Sequence, residues 1–188
     1  MSKVPEPPTP APWTLDSSPE TSKNDTTHHA QGIMSLDALD ALYQEVILDH
    51  YQNPRNRTPL AEPSVATEGY NPVCGDQLTL QLRVEDGRIT QVGLQGRGCA
   101  ISQASASMMT EAIQARTAEE ADALATAFRQ FMTSDESPAE DLRDLEVLEG
   151  VRQFPVRIKC ATLAWNTLQE ALKEYRQGQR EGKLIIRE

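Results

Sequence analysis

Cysteine is scarce in this chain, and its small odd number limits how the protein is held together. Only three cysteines occur among the 188 residues, so they cannot all pair as disulfides within one chain. The sequence also does not open with the charged and then apolar stretch of a secretory signal, and its apolar runs are too short to span a bilayer. These absences predict a cytoplasmic protein with reduced thiols and no membrane partner.

Clusters of basic residues are also missing. The chain has 18 Lys and Arg against 28 Asp and Glu, which gives a formal net charge of −10 at pH 7. Proteins that bind nucleic acids rely on basic clusters to neutralise phosphates. The sequence therefore argues against nucleic acid as a main partner, and the acidic surface indicates solubility.

The first 35 residues have almost no aliphatic side chains and hold six of the twelve prolines. Such a segment buries too little apolar surface to offset chain entropy, so 1–35 is predicted to be a flexible tail. It has no Arg and several acidic residues, unlike a mitochondrial presequence. His28 and His29 are interpreted as solvated tail residues, because no third metal ligand lies near them.

The next segments predict a helix and then a β-hairpin. Apolar residues recur at helical spacing from Leu36 until Asn53-Pro54 ends the helix, and His50 on the apolar face is interpreted as a packed, hydrogen-bonded core residue. Apolar and polar residues then alternate over 78–84, and a turn at 85–88 leads to a second strand with Val92 and Leu94. Alternation around a tight turn is typical of an antiparallel hairpin.

The second half of the chain predicts helices. A small-residue helix follows Cys99, which places that thiol at a helix N-terminus, where the helix dipole lowers a thiol pKa. Capping boxes at Thr117 and Ser137 predict two more helix starts. A last helix follows Phe154-Pro155, with Cys160 at its entrance. We therefore predict an α+β domain, in which a small antiparallel sheet of about three strands packs against several helices.

The three cysteines lie in a loop, beside a glycine turn and at a helix start, where each is able to present a thiolate. In Cys74-Gly75-Asp76 the glycine lets a thiol and a carboxylate face the same ion. Cys74, Asp76, Cys99 and Cys160 then form a candidate tetrahedral zinc site. Their intervals match no zinc-finger spacing, however, and a buried free cysteine is commonly inert. The residues alone leave both readings open.

Four motifs, in order along the chain, resemble a known family. The first is 42–56, beginning Leu42-Tyr43-Gln44-Glu45; the others are Asn71-Pro72-Val73-Cys74-Gly75-Asp76, the stretch 98–110 around Cys99, and the stretch 154–165 around Cys160. These motifs resemble the iron–sulfur scaffold family of IscU, SufU and the N-terminal part of NifU, with SufU as the most similar branch. The resemblance implies a domain over 36–176 with a SufU-like insertion at about 117–150, followed by a C-terminal extension over 177–188.

Two departures separate the chain from the IscU branch. Lys159 stands where IscU proteins have a histidine before the last cysteine, and a charged ammonium is a poor metal ligand. The segment between the second and third cysteines is also longer than in IscU. Residues 154–158 differ from the sequence that IscU offers to its dedicated chaperone, so chaperone binding is not expected.

For a SufU-like protein the resemblance implies a Zn²⁺-dependent sulfurtransferase. Such a protein accepts persulfide sulfur from a pyridoxal-phosphate cysteine desulfurase of the SufS type and passes it towards downstream Suf assembly proteins. Cys74, on its glycine-flanked loop, is expected to accept the sulfur, while Asp76, Cys99 and Cys160 retain the metal. Three thiolates and a carboxylate carry more negative charge than Zn²⁺ neutralises. Arg157 and Arg97 are therefore either cations that stabilise the site or ordinary surface arginines.

Two other functions remain open at this point. The same side chains would suit a scaffold on which a [2Fe–2S] cluster is assembled for transfer to apo-proteins, since thiolates are the usual ligands of such clusters. A purely structural zinc domain without sulfur chemistry is the other alternative. Lys159 in place of histidine favours zinc and sulfur transfer, because only one carboxylate then supplements the thiolates.

Overall fold

The computed structural model describes residues 36–134 and 141–186. The predicted tail with His28 and His29, and the predicted capping box at Ser137, lie outside these residues. In chain order the elements are α1 (Leu36–Gln52), β1 (Val65–Asn71), β2 (Asp76–Glu85), β3 (Arg88–Arg97), α2 (Ala100–Ile113), α3 (Ala118–Thr133), a 3₁₀ helix (Arg143–Gln153), α4 (Pro155–Arg176) and β4 (Glu181–Ile185).

The sheet has the strand order β3-β2-β1-β4. Strand β2 pairs antiparallel with both β1 and β3, whereas β4 runs parallel to β1. The α+β prediction is confirmed, but the sheet is mixed and has four strands rather than about three. The additional parallel strand comes from the C-terminal extension, whose sequence is compatible with either a short strand or an exposed apolar end.

The β2–β3 hairpin forms where apolar and polar residues alternate. Leu80 faces Leu94 and Leu82 faces Val92 across the two strands, and all four are buried. The turn uses Asp86 and Gly87 with positive φ angles of 51° and 76°, which match the twist of a two-residue hairpin turn. This hairpin was predicted correctly, because its pattern is local.

Helices α2 and α4 cover the sheet and are joined to each other by a buried serine. The Ser105 hydroxyl on α2 donates to the Ala161 carbonyl of α4 at 2.7 Å, and it accepts a hydrogen bond from Trp165 Nε1 at 3.1 Å. Trp165 is stacked on Phe128 of α3, with ring centroids 4.5 Å apart. Because Cys99 precedes α2 and Cys160 lies on α4, this contact fixes the two elements that carry these cysteines.

Strand β1 approaches α4 closely because it has a glycine at the contact. A Cβ on Gly69 would collide with the Thr167 hydroxyl. Farther along α4, the buried Glu174 carboxylate accepts a 2.6 Å hydrogen bond from the Thr67 hydroxyl of β1. Gly182 of β4 packs against the same carboxylate. Small and polar residues therefore join α4, β1 and β4.

Histidine 50 is buried at the end of α1, as predicted from its place on the apolar face. His50 Nδ1 lies 2.9 Å from the Ser107 hydroxyl of α2, and the Arg55 backbone N–H donates to the same oxygen at 2.9 Å. These bonds attach α1 and the loop after it to α2.

The start of α4 differs from the prediction. Pro155 is the first helical residue, a position that proline favours because its φ is already helical. Cys160 is consequently inside α4, in its second turn, rather than at the helix entrance. Within the ranges described, no helix combines the length and the hydrophobicity needed to cross a membrane.

Candidate metal centre

Cys74 lies on the four-residue turn that connects β1 to β2. Asn71 and Asp76 form the strand pair that closes this turn. The Asn71 side-chain Oδ1 accepts a hydrogen bond from the Val73 N–H at 3.1 Å, and its backbone carbonyl accepts from the Gly75 N–H at 2.9 Å. Gly75 has a φ of 71°, which favours glycine. The turn therefore holds Cys74 at its partly exposed tip.

Asp76 connects this turn to the second cysteine. Its carboxylate is almost fully buried, with 1% exposure, and Oδ1 accepts a hydrogen bond from the Cys99 N–H at 2.9 Å. A Cβ on Gly98 would lie only 2.7 Å from that oxygen, so glycine is needed for the carboxylate to come this close. Gly98 thus makes room for Asp76 beside Cys99.

Cys99 caps the N-terminus of α2, as the sequence predicts. Its Sγ accepts a hydrogen bond from the Ser102 N–H at 3.4 Å. The first turn of α2 has no acidic residue of its own, so the groups that face the positive end of the helix dipole are the Cys99 sulfur and the Asp76 carboxylate.

Cys160 is fully buried on α4 and lies against the other parts of the site. Its Sγ is 3.1 Å from Cys74 Sγ, far longer than the ~2.05 Å of a disulfide bond. The Asn71 side-chain amide donates to the same Sγ at 3.8 Å. Burial raises the pKa of the Cys160 thiol far above its usual range, so a bound cation has to displace its proton at neutral pH.

The ligand atoms of Cys74, Asp76 and Cys160 all lie within 4.8 Å of one another. Cys99 Sγ adds a fourth atom, 4.0 Å from Asp76 Oδ2. Ligands of one tetrahedral zinc ion, bonded at about 2.0–2.3 Å, are about 3.3–3.8 Å apart. The ligand atoms of Cys74, Asp76 and Cys160 fit Zn²⁺ in donor type and spacing, and Cys99 lies beside Asp76 as the candidate fourth donor. Of the four side chains nominated from distant segments, the structure groups Cys74, Asp76 and Cys160 around one point and places Cys99 next to Asp76. A ligand role for Cys99 stays a prediction.

The two arginines differ in their placement. Arg157, in the first turn of α4, faces both Cys99 and Cys160. The charge of Cys99, followed by a hydrogen bond to it and by the charge of Cys160, raises the pKa of the Arg157 guanidinium. Arg97 is exposed at the end of β3, and its side chain makes no hydrogen bond or ion pair within the described residues. The placement of Arg157 suits a cation that stabilises the site, and a role for Arg97 stays a prediction.

Neither Asn71 nor Gly98 was assigned a role from the sequence, although both lie in the motifs that carry the family resemblance. In the sequence, an asparagine before a proline is typical of an ordinary turn, and a glycine before a helix indicates only the end of the preceding strand. Their contacts to Cys160 and Asp76 depend on tertiary packing between β1, β3, α2 and α4, which a local pattern does not contain.

Replacement of Gly98 by alanine is expected to lower the affinity for zinc about 10- to 100-fold. The new methyl group would displace the Asp76 carboxylate, which is both a candidate ligand and the acceptor for the Cys99 N–H. Competition with a chromogenic chelator measures this affinity. Gly150→Ala is the matched control, since a Cβ at Gly150 would meet no atom within 4 Å. Equal zinc affinities in the two variants would show that the Asp76 position does not matter.

A small α+β domain that groups two thiols and a buried carboxylate around one point, with a third thiol beside that carboxylate, belongs to the class of proteins with a candidate thiolate-rich metal site. The comparison with protein families specifies the class further. The model of the NifU-like N terminal domain matches residues 42–182, and the chain belongs to that family.

Curated relatives and a solved structure agree with this assignment. The chain is 43% identical over 141 residues to the "Zinc-dependent sulfurtransferase SufU" of Bacillus subtilis, covering 74% of this chain and 95% of that protein. It is also 43% identical over 141 residues to the "Iron-sulfur cluster assembly scaffold protein IscU" of Streptococcus pyogenes, covering 74% and 88%. The N-terminal structure of a nitrogen-fixing NifU-like protein from Brucella abortus superposes with a TM-score of 0.67 at 26% identity, covering 74% of this chain and 97% of that one.

Proposed function

We propose that the protein works in iron–sulfur cluster assembly as a zinc-dependent sulfurtransferase, which accepts persulfide sulfur from a cysteine desulfurase of the SufS type. One observation carries the proposal: a partly exposed thiol, Cys74, contacts the buried thiol of Cys160 and lies beside the buried carboxylate of Asp76. The names of the relatives, a zinc-dependent sulfurtransferase and cluster scaffold proteins, support the same process.

Cys74, Asp76, Cys99 and Cys160 would hold the zinc ion. Zinc is redox-inert and keeps thiolates deprotonated at neutral pH. The residues around the ion supply the remaining stabilisation. The Cys99 N–H fixes the Asp76 carboxylate, the Ser102 N–H in the first turn of α2 donates to Cys99 Sγ, and the Arg157 guanidinium offsets part of the excess negative charge.

The transfer step requires a thiolate that can leave the metal when a partner side chain replaces it, and that lies on a movable segment. Cys74 fits this requirement, since it lies at the tip of a turn, whereas Cys99 and Cys160 belong to helices. The Cys74 thiolate attacks the terminal sulfur of the persulfide on the desulfurase cysteine. A new S–S bond forms on Cys74, the S–S bond on the desulfurase breaks, and the desulfurase cysteine leaves as a thiolate. The terminal sulfur carries its hydrogen across, so atoms and charge balance.

Exposed apolar side chains next to the site give a partner a surface to bind. Val73 precedes Cys74 and is 45% exposed, while Phe154 and Val156 at the start of α4 are 58% and 56% exposed. Large apolar groups at a functional site are typical of protein interfaces. Their position favours docking of the desulfurase directly over Cys74.

A cluster scaffold is the second candidate, since a relative with the same 43% identity is named as one. The residue before Cys160 is a lysine, which leaves three thiolates and one carboxylate as donors among the described residues. This donor set is sufficient for zinc. It is less typical of a [2Fe–2S] cluster, whose irons usually bind four thiolates or two thiolates and two histidines.

The test combines metal analysis with a desulfurase assay. We expect about one zinc ion per chain in the purified protein, and we expect the turnover of a SufS-type desulfurase to rise when the protein is added. Protein stripped of zinc by a chelator serves as the control and should not stimulate turnover. Isolation with iron and acid-labile sulfide would favour the scaffold, and zinc without any stimulation would indicate a purely structural metal.

A further inference from the structure

The three sulfurs of the site differ in the N–H groups that face them. Cys99 Sγ accepts from the Ser102 N–H at 3.4 Å, and Cys160 Sγ accepts from the Asn71 side-chain amide at 3.8 Å. The Arg157 guanidinium also faces both of these thiols. Among the described residues, the only hydrogen-bonding contact of Cys74 Sγ is with Cys160 Sγ. The donors are therefore distributed unequally over the three candidate ligands.

A hydrogen bond to a thiolate withdraws electron density from the sulfur. Such groups around a metal site orient its ligands and tune their basicity, and bonds to ionised acceptors are stronger than neutral ones. A thiolate that accepts N–H groups is consequently a weaker nucleophile than one without them. Because no N–H group faces Cys74 Sγ among the described residues, Cys74 is expected to be the most nucleophilic of the three sulfurs.

Asn71 contacts one of two neighbouring sulfurs, those of Cys74 and Cys160, which lie 3.1 Å apart. A difference in reactivity between these two sulfurs decides which one accepts the transferred sulfur. Its side chain is fully buried and bonded at both ends. The Oδ1 atom accepts from the Val73 N–H of the turn, and the Nδ2 group donates to Cys160 Sγ on α4. The first bond fixes the orientation of the amide, so the donor and not the oxygen faces the sulfur.

We propose that Asn71 is a positioning residue that makes Cys74, rather than Cys160, the sulfur acceptor. Its amide donates to the Cys160 thiolate, which lowers the reactivity of that sulfur, while its oxygen holds the turn that presents Cys74. This inference rests on the proposed sulfur transfer, and it adds the reason why one of two adjacent thiols reacts.

Asn71→Ser separates the two ends of the side chain. A serine hydroxyl at this position still accepts from the N–H two residues on, as in an ST-turn, but it is too short to reach Cys160. The matched control is Asn53→Ser, which removes an exposed amide that bonds only to Asp49. Two measurements follow: the thiolate-to-cobalt charge-transfer absorption of the Co²⁺-substituted protein, and the position of the persulfide by peptide mass spectrometry after reaction with a loaded desulfurase.

In Asn71→Ser we expect the charge-transfer band to move to longer wavelength, because the Cys160 thiolate becomes more electron-rich. The ratio of persulfide on Cys160 to that on Cys74 should rise about 2- to 10-fold, the effect of one lost hydrogen bond. Asn53→Ser should match the wild type in both measurements.

An unchanged band and unchanged sulfur position in Asn71→Ser at full cobalt loading would overturn the proposal. Loss of cobalt binding would overturn it too, since Asn71 would then only maintain the turn. If the wild type accepts no sulfur at all, sulfur transfer itself is wrong. The cobalt spectrum still shows in that case whether Asn71 tunes Cys160.

Discussion

Removal of zinc is expected to lower the melting temperature of the protein by at least about 10 °C. The reason is the burial of the ligands: Asp76 is 1% exposed and Cys160 is fully buried, so loss of the cation leaves a buried carboxylate beside closely packed thiols. Structural zinc sites contribute on the order of 10 kcal/mol to folding. In a domain of this size about 1 kcal/mol shifts the melting temperature by about 2–4 °C, so about half of that contribution produces the expected change.

Scanning calorimetry with and without a chelator measures this effect. Addition of zinc back to the stripped protein should restore the original melting temperature, whereas Mg²⁺, which prefers oxygen ligands, should not. Identical melting curves before and after chelation would mean that the four side chains do not hold a metal that the fold depends on.

Substitution of Cys74 by serine is expected to reduce sulfur uptake from the desulfurase at least about 100-fold, because the attacking thiolate is lost. Zinc should be largely retained by Asp76, Cys99 and Cys160, with water in the fourth position, as in zinc sites that keep an open coordination position. Mass spectrometry after reaction with a loaded desulfurase measures the sulfur, and metal analysis of the same sample measures the zinc.

The companion variant Cys160→Ser is expected to behave differently. Cys160 is a buried residue of α4, so its loss should release zinc and lower the melting temperature together. Normal sulfur uptake by Cys74→Ser would show that another residue is the acceptor. Equal zinc loss in both variants would show that Cys74 is no more dispensable to the metal than Cys160.

Local features of the fold were predictable from the sequence. The β2–β3 hairpin follows from strict alternation around a turn, and the capping box at Thr117 is present, with Glu120 N–H bonded to the threonine hydroxyl and the Glu120 carboxylate bonded to the Thr117 N–H. Each depends on residues a few positions apart, so neighbouring side chains determine them before any tertiary contact forms.

The sequence pattern does not establish strands β1 and β4, and there is a physical reason for this. The inward positions of β1 are Val65, Thr67, Gly69 and Asn71, and only the first is aliphatic, so the strand has no apolar alternation. Its polar and small residues are matched by partners on α4, such as Glu174 for Thr67. Strand β4 exists because β1 offers it an edge, and a sequence pattern does not show such an edge.

The sequence nominates the members of the candidate site, but it does not predict their arrangement. Resemblance to a family nominated Cys74, Asp76, Cys99 and Cys160, because motifs preserve residue types. The distances between the ligand atoms, the space over Gly98 and the amide of Asn71 depend on how α2 and α4 pack against β1, β2 and β3. The tertiary packing therefore determines the hydrogen-bond donors around each sulfur, and a local sequence pattern does not contain this information.

The parallel pairing of β4 with β1 has a consequence for how the protein fluctuates. Hydrogen bonds at the border of a sheet open most readily, whereas those between inner strands persist. Because β4 occupies the border, β1 is an inner strand, and it ends at Asn71 immediately before the turn with Cys74. Local opening of hydrogen bonds on this side of the sheet therefore affects β4 first. Strand β1 stays paired, and the turn with Cys74 can move while the strand that supports it remains rigid.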